Sequence, residues 1–217
     1  MTAIAILGGT GRQGSGLALR WARAGHEILI GSRMPDKAVA AATALRAPPN
    51  ENLAIRGVGN LAAAETCEVA VLSVPYHSQR AVLEEVQAAL AGKVLISVVV
   101  PLKPPDLTQA WRPPAGSAAQ EAQEILGDQT RVIGAFHNVS AIHLADSSHP
   151  IECDILVCGD DDAAKAVAVA LAGCAGMRGF DAGPLTNAGV VEGLTALLIG
   201  INRRYRVKSA GIHLTGV

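Results

Sequence analysis

The chain has 217 residues, of which half are hydrophobic, 17% charged and only 3% aromatic, and its formal net charge is −1. This length suits one large domain, or one domain with a small companion. Nucleic acid is not an expected partner, because a nearly neutral chain with few aromatic rings can neither attract phosphates nor stack bases. A core made of Ala, Val, Leu and Ile is typical of a parallel sheet buried between helices, so the composition predicts an α/β fold.

The first residues contain neither a basic stretch nor a long apolar run, because Gly8 interrupts the apolar residues early. A secretion signal is therefore not expected, and neither is a segment with the about 18–20 apolar residues of a membrane span. These features predict a cytoplasmic protein that has no membrane partner. The cysteines form no Cys-x-x-Cys pair, and we expect all of them to be buried thiols without disulfides or a bound metal.

The first predicted strand runs directly into a glycine loop and then into a helix. Apolar residues 4–7 precede Gly9, Gly11 and Gly14, which stand at the G-x-G-x-x-G spacing. In a dinucleotide-binding loop these glycines permit the tight turn, the approach of the backbone to a pyrophosphate, and close packing of helix on strand. The amides at the start of the helix then face the anion. The pattern predicts dinucleotide binding, and the alternative is a glycine-rich turn that binds nothing.

The second predicted strand, residues 26–30, is followed by Gly31, Ser32 and Arg33. At this distance from the glycine loop, an NAD-binding protein carries an acidic residue for the ribose 2′-hydroxyl. No carboxylate stands there in this chain. Ser32 can donate a hydrogen bond to a 2′-phosphate, Arg33 can pair with it, and Lys37 can reach it from the next helix. We therefore predict NADP rather than NAD; the alternative is that both cations are merely solvated.

The fourth predicted strand places further residues at one edge of the sheet. Residues 69–75 are apolar until their end, as in a strand at the middle of a sheet. Ligands of open α/β sheets bind outside the carboxyl ends of the strands, so we expect Ser73 and Pro75 near the cofactor. Tyr76 and His77 follow at the same edge, although His77 can equally be an ordinary residue at the start of the next helix.

A fifth strand is predicted over residues 93–100 and a sixth over residues 131–136. Between them lies a proline-rich stretch, and a loop of such length in a compact domain is commonly functional, so Trp111 is a candidate to cover a ligand. The sixth strand delivers His137 to the same edge of the sheet. Six strands complete a Rossmann-type doubly wound sheet, which we assign to an NADP-binding domain of residues 1–136.

Residues 137–217 are predicted to form a small C-terminal α/β extension. It contains strands over residues 154–158 and 177–181, and an apolar helix from Val190 to about Ile201. That helix has few polar side chains on any face, so we expect it to be buried between lobes or between subunits. This domain is predicted to contribute to the second-substrate site and to dimer contacts.

A bound NADP supplies redox chemistry, so the chain has only to hold a second reactant against the nicotinamide. The sequence contains no Tyr-x-x-x-Lys pair of the short-chain dehydrogenase type, and no pattern typical of an activated serine or a zinc site. Too few residues follow the sheet for the large helical domain of a β-hydroxyacid dehydrogenase. An acceptor that takes a hydride without a strong protein acid is favoured, such as a flavin-like ring.

Five runs of residues together point to one family. They are Leu7-Gly8-Gly9-Thr10-Gly11, Gly25-His26-Glu27-Ile28 with Gly31-Ser32-Arg33, Ala70-Val71-Leu72 with Pro75, Val157-Cys158-Gly159-Asp160-Asp161, and Asp181-Ala182-Gly183-Pro184-Leu185. On these runs the chain resembles the NADPH-dependent coenzyme F420 reductases over nearly its whole length. The resemblance implies a homodimer in which a hydride passes directly between C4 of the nicotinamide and C5 of an 8-hydroxy-5-deazaflavin.

The same resemblance implies roles for individual residues. His137 matches a histidine beside the deazaflavin and is the predicted catalytic residue, able to hydrogen-bond the ring edge; the alternative is a strand-ending histidine that is bonded to backbone. The positions that match NADP contacts of the family are Thr10, Arg12, Gln13, Ser32, Arg33 and Lys37. The full predicted cofactor-binding set also contains Gly9, Gly11, Gly14, Ser73, Pro75 and Thr195.

The chain departs from the family pattern on the acceptor side. Gly189 stands where archetypal members have an arginine and Gly193 where they have a serine, whereas Glu192 and Thr195 are kept. The cations available further along to replace the missing one are Arg203, Arg204 and Arg206. Two alternatives to deazaflavin reduction stay open: an NADPH-dependent reductase of a flavin, quinone or ferric chelate, and a non-catalytic NADP-binding regulatory protein.

Overall fold

The computed structural model describes residues 1–146 and 150–217. In this part of the chain eight strands form one sheet in the order β3-β2-β1-β4-β5-β6-β7-β8. The strands are β1 (Ala3–Leu7), β2 (Glu27–Ser32), β3 (Ile55–Gly59), β4 (Val69–Leu72), β5 (Val94–Ser97), β6 (Arg131–Gly134), β7 (Ile155–Gly159) and β8 (Gly179–Asp181). The α-helices are α1 (Arg12–Arg23), α2 (Pro35–Leu45), α3 (Asn60–Thr66), α4 (Gln79–Val86), α5 (Ala118–Leu126), α6 (Ala141–Ala145), α7 (Asp162–Cys174) and α8 (Ala188–Tyr205). Short 3-10 turns lie at Tyr76–Ser78, Ala88–Leu90 and Leu185–Asn187.

The strand order confirms the predicted Rossmann-type doubly wound sheet. Strands β1 to β6 pair in parallel, and β1 lies between β2 and β4, so the chain changes its direction of winding there. In such sheets the crevice at the reversal point, outside the carboxyl ends of the strands, takes the ligand. The C-terminal strands extend the same sheet: β7 pairs antiparallel with β6, and β8 pairs parallel with β7.

Helices cover both faces of the sheet with apolar side chains. On one face Trp21 of α1 and Phe136 meet edge to face, with ring centroids 5.6 Å apart. The Trp21 indole N–H also donates to the Leu171 carbonyl of α7 at 2.8 Å, so its one polar atom is satisfied in the core. On the other face α3, α4 and α5 bury the alternate side chains of the same strands.

Four central strands end at the same level of the sheet. The register aligns Leu7, Leu72, Ser97 and Gly134, which are the last residues of β1, β4, β5 and β6. Several predicted strands extended too far: β4 stops before Ser73, and β5 stops at Ser97 rather than at 100. The extra residues are loop residues at the carboxyl edge, where a ligand site is expected.

Helix α8 has a buried face and an exposed apolar face, so a single chain does not cover it on all sides, and its burial between subunits stays a prediction. Val191 and Leu198 are buried against the protein, whereas Val190, Leu197 and Ile201 are 56%, 54% and 37% exposed. By length and composition alone, residues 185–205 could cross a membrane, which corrects the expectation that no segment meets those criteria; a helix packed on a protein core meets them too.

The prediction that all four cysteines are buried is wrong for one of them. Cys67, Cys153 and Cys158 are buried and Cys174 is exposed, because Cys174 is the last residue of α7. Burial raises the pKa of the Cys67 and Cys153 thiols above their ordinary value and that of Cys158 to about 11. These three are therefore protonated and unreactive at neutral pH.

Candidate functional site

The glycine loop is shaped for close approach of backbone to backbone. Gly8 has φ +70°, and a Cβ there would lie 2.2 Å from Val74 Cγ1. A Cβ on Gly14 would lie 2.8 Å from the Cα of Gly9, so α1 can pack this closely on the loop only with glycine at both places. A Cβ on Gly11 would meet nothing within 4 Å. The loop therefore has an open side at Gly11, toward which a ligand can come.

The amino end of α1 is open to an anion. Ser15 N donates to Gly11 O at 2.9 Å, the first hydrogen bond of the helix, so the preceding helical amides have no acceptor within the helix. The N-cap residue Gly11 makes no side-chain cap, and no acidic residue lies in the first turn. The exposed side chains of Thr10 and Arg12 stand beside these amides. Free amides, a helix dipole and a cation together fit a pyrophosphate.

The end of β2 presents the residues predicted for the 2′-phosphate. The Ser32 hydroxyl accepts from Met34 N at 3.1 Å, which leaves its own proton free to donate. Arg33 and Lys37 are exposed, and no ion pair joins either to another residue of the described chain. Gly31 packs against Asn60, since a Cβ there would lie 2.8 Å from Asn60 Oδ1.

Ser73, which is predicted to lie near the cofactor, lies against the glycine loop. Its backbone N–H donates to Leu7 O at 2.9 Å, and its Oγ would lie 3.1 Å from a Cβ on Gly14. Pro75 is exposed two residues further on. Asn60 is the first residue of α3, and its Oδ1 accepts from Gly8 N at 3.2 Å. Asn60 thereby fixes the start of the glycine loop from a third element.

The segment that carries His137 begins with a strained residue. Phe136 has φ +63°, an uncommon backbone conformation for a bulky side chain, and one that ends β6 earlier than predicted. Its ring is fully buried, and its carbonyl accepts from Gln13 Nε2 at 3.1 Å. This bond ties the glycine loop to the His137 segment, so the two predicted half-sites adjoin.

The imidazole ring of His137 is buried in the protein. The residue is 4% exposed, and neither ring nitrogen makes a hydrogen bond of good geometry in the described chain, although the Ser97 backbone interacts weakly with the ring. Burial lowers the pKa of its imidazole to about 4, so the ring is neutral at physiological pH. A buried polar ring without a hydrogen bond of good geometry is costly, which is a reason to expect a ligand or water there. With Thr195 and Asn202 it lines a cavity of about 150 Å³.

The backbone around His137 is fixed from several sides. Thr195 of α8 donates from Oγ1 to the His137 carbonyl at 2.6 Å. The side-chain Nδ2 of Asn138 donates to Asp154 O at 2.7 Å, and Ser140 caps α6 by accepting from Ile142 N. The predicted residues His137 and Thr195 are therefore brought together, although the contact runs through the histidine carbonyl and leaves the ring free.

The proline-rich loop (residues 101–116) lies along α8. A Cβ on Gly193 would lie 3.5 Å from Ala110 Cβ, and one on Gly200 would lie 3.5 Å from Thr108 Cβ. Trp111 of this loop meets Tyr76 edge to face, with centroids 5.8 Å apart. Trp111 thus lies at the carboxyl edge of the sheet, beside the residue that follows Pro75, and its covering of a ligand stays a prediction.

A buried carboxylate joins α8 to α5. Glu192 is 1% exposed and accepts from Ala118 N at 2.8 Å and from Ala119 N at 3.0 Å, at the amino end of α5. Burial raises the pKa of Glu192 to about 7, although both amides and Arg112 oppose the shift. Sequence reasoning assigned no role to Glu192, because nothing in the sequence indicates that the start of α5 lies opposite it.

No group of three or more His, Cys, Asp and Glu side chains in residues 1–146 and 150–217 is arranged to hold a metal ion. The aspartate run at 160–162 is instead the start of α7, where Asp161 caps the helix by accepting from Ala164 N at 2.7 Å. Acidic residues at the amino end of a helix stabilise it through the cap and the helix dipole.

Comparison with known proteins identifies the family. A model described as NADP oxidoreductase, coenzyme F420-dependent, matches residues 3–101. The F420-dependent NADP reductase of Methanothermobacter marburgensis is 44% identical, over 99% of this chain and 98% of that protein. That of Methanocaldococcus jannaschii is 40% identical, over 99% of this chain and 98% of that protein.

A solved structure agrees with this assignment. A protein of Arthrobacter sp. FB24, described as a candidate F420-dependent NADP reductase, has a TM-score of 0.81 and 26% identity, covering 99% of this chain and all of that one. A hypothetical protein of Sinorhizobium meliloti, at 23% identity and a TM-score of 0.73, shares the fold. The chain belongs to the family of F420-dependent NADP reductases.

Proposed function

We propose that this protein transfers a hydride between NADP(H) and the deazaflavin coenzyme F420. One observation carries the proposal: the bond from Gln13 to Phe136 O joins an open, dinucleotide-type loop to the segment of a buried, neutral histidine. When both coenzymes are bound, they supply the redox chemistry themselves, as a hydride passing between nicotinamide C4 and deazaflavin C5. The protein has to hold the two rings in contact and keep water away.

The NADP side is assigned to the loop and to the end of β2. The free amides of α1 and the side chains of Thr10, Arg12 and Gln13 hold the pyrophosphate and its neighbouring ribose. The 2′-phosphate is bound by Ser32, Arg33 and Lys37, which carry no carboxylate partner in the described chain. The remaining residues assigned to this side are Gly9, Gly11, Gly14, Ser73 and Pro75.

The acceptor side is assigned to His137 and α8. The His137 imidazole is neutral at pH 7, so one ring nitrogen donates and the other accepts. It can therefore form a hydrogen bond with the polar edge of a flavin-like ring in either redox state. Thr195 fixes the carbonyl of the same residue and thereby its position. A strong protein acid is not required, since the transferred species is a hydride.

The exposed face of α8 favours a homodimer. Val190, Leu197 and Ile201 form one apolar row at helical spacing, and a single-chain protein seldom leaves such a row in water. A second copy of the chain would cover it through a symmetric contact. We retain residues 1–136 as the NADP-binding domain and residues 137–217 as the domain for the acceptor and dimer contacts, in a cytoplasmic protein.

The test is an anaerobic reaction of the purified protein with NADPH and oxidised F420. We expect loss of the deazaflavin absorbance with matching oxidation of NADPH. Parallel reactions use a flavin, a quinone and a ferric chelate as acceptors. Turnover of those acceptors without turnover of F420 would refute the proposal, and so would tight NADPH binding with no turnover at all.

A further inference from the structure

The guanidinium of Arg112 occupies space that Gly189 leaves free. Arg112 Nε lies 3.4 Å from the place that a Cβ on Gly189 would take. The same Cβ would lie 2.5 Å from the carbonyl oxygen of Gly116, so the proline-rich loop can approach α8 this closely only where α8 has no side chain. Because residue 189 has no side chain, the loop can place the guanidinium of Arg112 beside this position of the helix.

The guanidinium of Arg112 makes no direct polar contact in the described chain, although its charge acts to lower the pKa of Glu192. It is exposed, and no hydrogen bond or ion pair joins it to another residue of the described chain. Its nearest acidic neighbour on α8, Glu192, is buried and already accepts from two backbone amides. The guanidinium is therefore available to an anion that arrives from solvent.

The surroundings place Arg112 at the rim of the acceptor site. The adjacent Trp111 packs on Tyr76, at the carboxyl edge of β4. On α8, Gly189 precedes Thr195, the residue bonded to His137 O, by six positions, which is a rise of about 9 Å. Arg112 is therefore displaced along α8 from the buried histidine by roughly the length of a fused-ring system, on the solvent side.

Arg203, a basic residue near the end of α8, does not lie at this place. Arg203 follows Gly189 by fourteen positions, or about 21 Å along the helix. Its guanidinium faces Asp106 at 3.7 Å, at the far end of the proline-rich loop. Within one chain, Arg203 therefore does not lie at position 189, and the suggestion that Arg204 or Arg206 replaces a cation there stays a prediction.

We propose that Arg112 binds the acidic side chain of the deazaflavin substrate, which carries a phosphodiester and carboxylates, while the ring is held further along α8 near His137. This inference rests on the proposed function and adds a specificity residue to it. An exposed guanidinium suits a group that extends toward solvent, and its planar fork matches phosphate and carboxylate oxygens. Arg112 is thus a determinant of affinity for the acidic coenzyme and does not touch the reacting atoms.

The experiment measures binding without turnover. Oxidised F420 is titrated into protein saturated with NADP+, a pair between which no hydride can pass, and deazaflavin fluorescence reports the bound fraction. A second titration uses the neutral chromophore, 8-hydroxy-5-deazariboflavin, which has the same ring without phosphate or carboxylates. The variants are Arg112→Ala, Arg112→Lys and, as a matched exposed control on α8, Arg203→Ala. The Kd for NADPH and the melting temperature verify that each variant is folded.

For Arg112→Ala we expect about tenfold weaker binding of F420, the effect of losing one charge-assisted contact, with unchanged binding of the neutral chromophore and of NADPH. Arg112→Lys should recover part of the loss, and Arg203→Ala should bind as the wild type does. Equal losses for both deazaflavins, no loss for either, or the same loss in Arg203→Ala would overturn the inference. If wild-type protein binds F420 but the variants do not differ, only the inference fails; if the wild type neither binds nor reduces F420, the proposed function fails with it.

Discussion

The hydroxyl of Thr195 donates a 2.6 Å hydrogen bond to the carbonyl oxygen of His137, and this contact joins α8 to the carboxyl edge of the Rossmann sheet. The two residues lie 58 positions apart in the sequence, and no other side-chain hydrogen bond in the described chain links α8 to residues 137–140. The place of the His137 ring therefore depends on where α8 lies.

For Thr195→Val we expect kcat/KM for F420 to fall by about two- to tenfold, because one neutral hydrogen bond is lost in a nearly isosteric change. The Kd for NADPH should change little, since no hydrogen bond joins Thr195 to the glycine loop in the described chain. Thr195→Ser keeps the hydroxyl and should retain activity. Steady-state kinetics with each substrate varied will check this, and an equal effect on both substrates would assign Thr195 a general structural role.

For Arg33→Ala we expect a loss of about 1.5–3 kcal/mol in NADPH binding, roughly 10- to 150-fold, with little change for NADH, which lacks the 2′-phosphate. Arg46→Ala, an exposed cation at the other end of α2, is the control. Titration of both nicotinamide coenzymes separates the effects. Equal losses for NADPH and NADH would remove Arg33 from the 2′-phosphate site.

The NADP half of the site could be predicted because its geometry is local in sequence. The strand, the glycine loop and the helix follow one another within about twenty residues, and the spacing of Gly9, Gly11 and Gly14 is imposed by contacts among neighbours. The absence of an acidic residue after β2 is also visible without any structure. Topology followed from the same pattern, since alternating strands and helices give a parallel sheet.

The acceptor half could not be predicted in the same way, because its contacts join distant segments. Nothing local indicates that Arg112 lies against Gly189, or that Glu192 lies under the amino end of α5. The positive φ of Phe136 could not be predicted from the sequence either. A bulky residue prefers a negative φ, and the tertiary packing of the ring imposes the positive one. The alternation of apolar residues overestimated strand lengths where β4, β5 and β6 reach the site, because buried loop residues there are apolar too.

For Gly189→Ala we expect displacement of the proline-rich loop, because the new Cβ would lie 2.5 Å from Gly116 O. Overpacking of this kind costs about 1–3 kcal/mol, and F420 binding should weaken with it. Gly173→Ala is the matched control, since it is another helical glycine and its Cβ would meet nothing within 4 Å. It should be neutral or stabilising by up to about 1 kcal/mol. Denaturant unfolding of both variants measures the difference.

For Leu197→Glu we expect the homodimer to dissociate, since a charge would be placed on the apolar row of α8 where a second copy is proposed to bind. Val39→Glu is the control, because Val39 is an exposed apolar residue of similar exposure on α2, at 51% against 54%. Light scattering coupled to size-exclusion chromatography gives the mass of each variant. A monomeric wild-type protein, or an unchanged mass for Leu197→Glu, would contradict the proposed interface.

Glu192 makes the unfolding free energy depend on pH, and its pKa gives the direction of that dependence. Its carboxyl has a pKa of about 7 in the folded state against an ordinary value of 4.5, with burial as the main cause. Between these values the folded protein holds a proton that the unfolded chain has released. The contribution of Glu192 to the unfolding free energy is therefore fully present below about pH 4.5 and is lost as the pH rises to about 7.

The Glu192→Gln variant tests this through the difference between two stability curves. The change replaces a titrating group by a neutral one, so the wild-type unfolding free energy should fall relative to the variant by about 2–3 kcal/mol from pH 4.5 to 7. His137 acts in the opposite direction over part of this window, since its pKa is lowered to about 4, but it is present in both proteins and cancels in the difference. The charged or titratable groups that interact with Glu192 are Arg112, Tyr76 and Cys158. The pKa values of Tyr76 and Cys158 are both raised, so these two groups stay neutral between pH 4.5 and 7. Parallel curves for the two proteins, measured by urea unfolding at each pH, would show that the pKa of Glu192 is the same in the folded and the unfolded chain, so that its two amide contacts and Arg112 offset its burial.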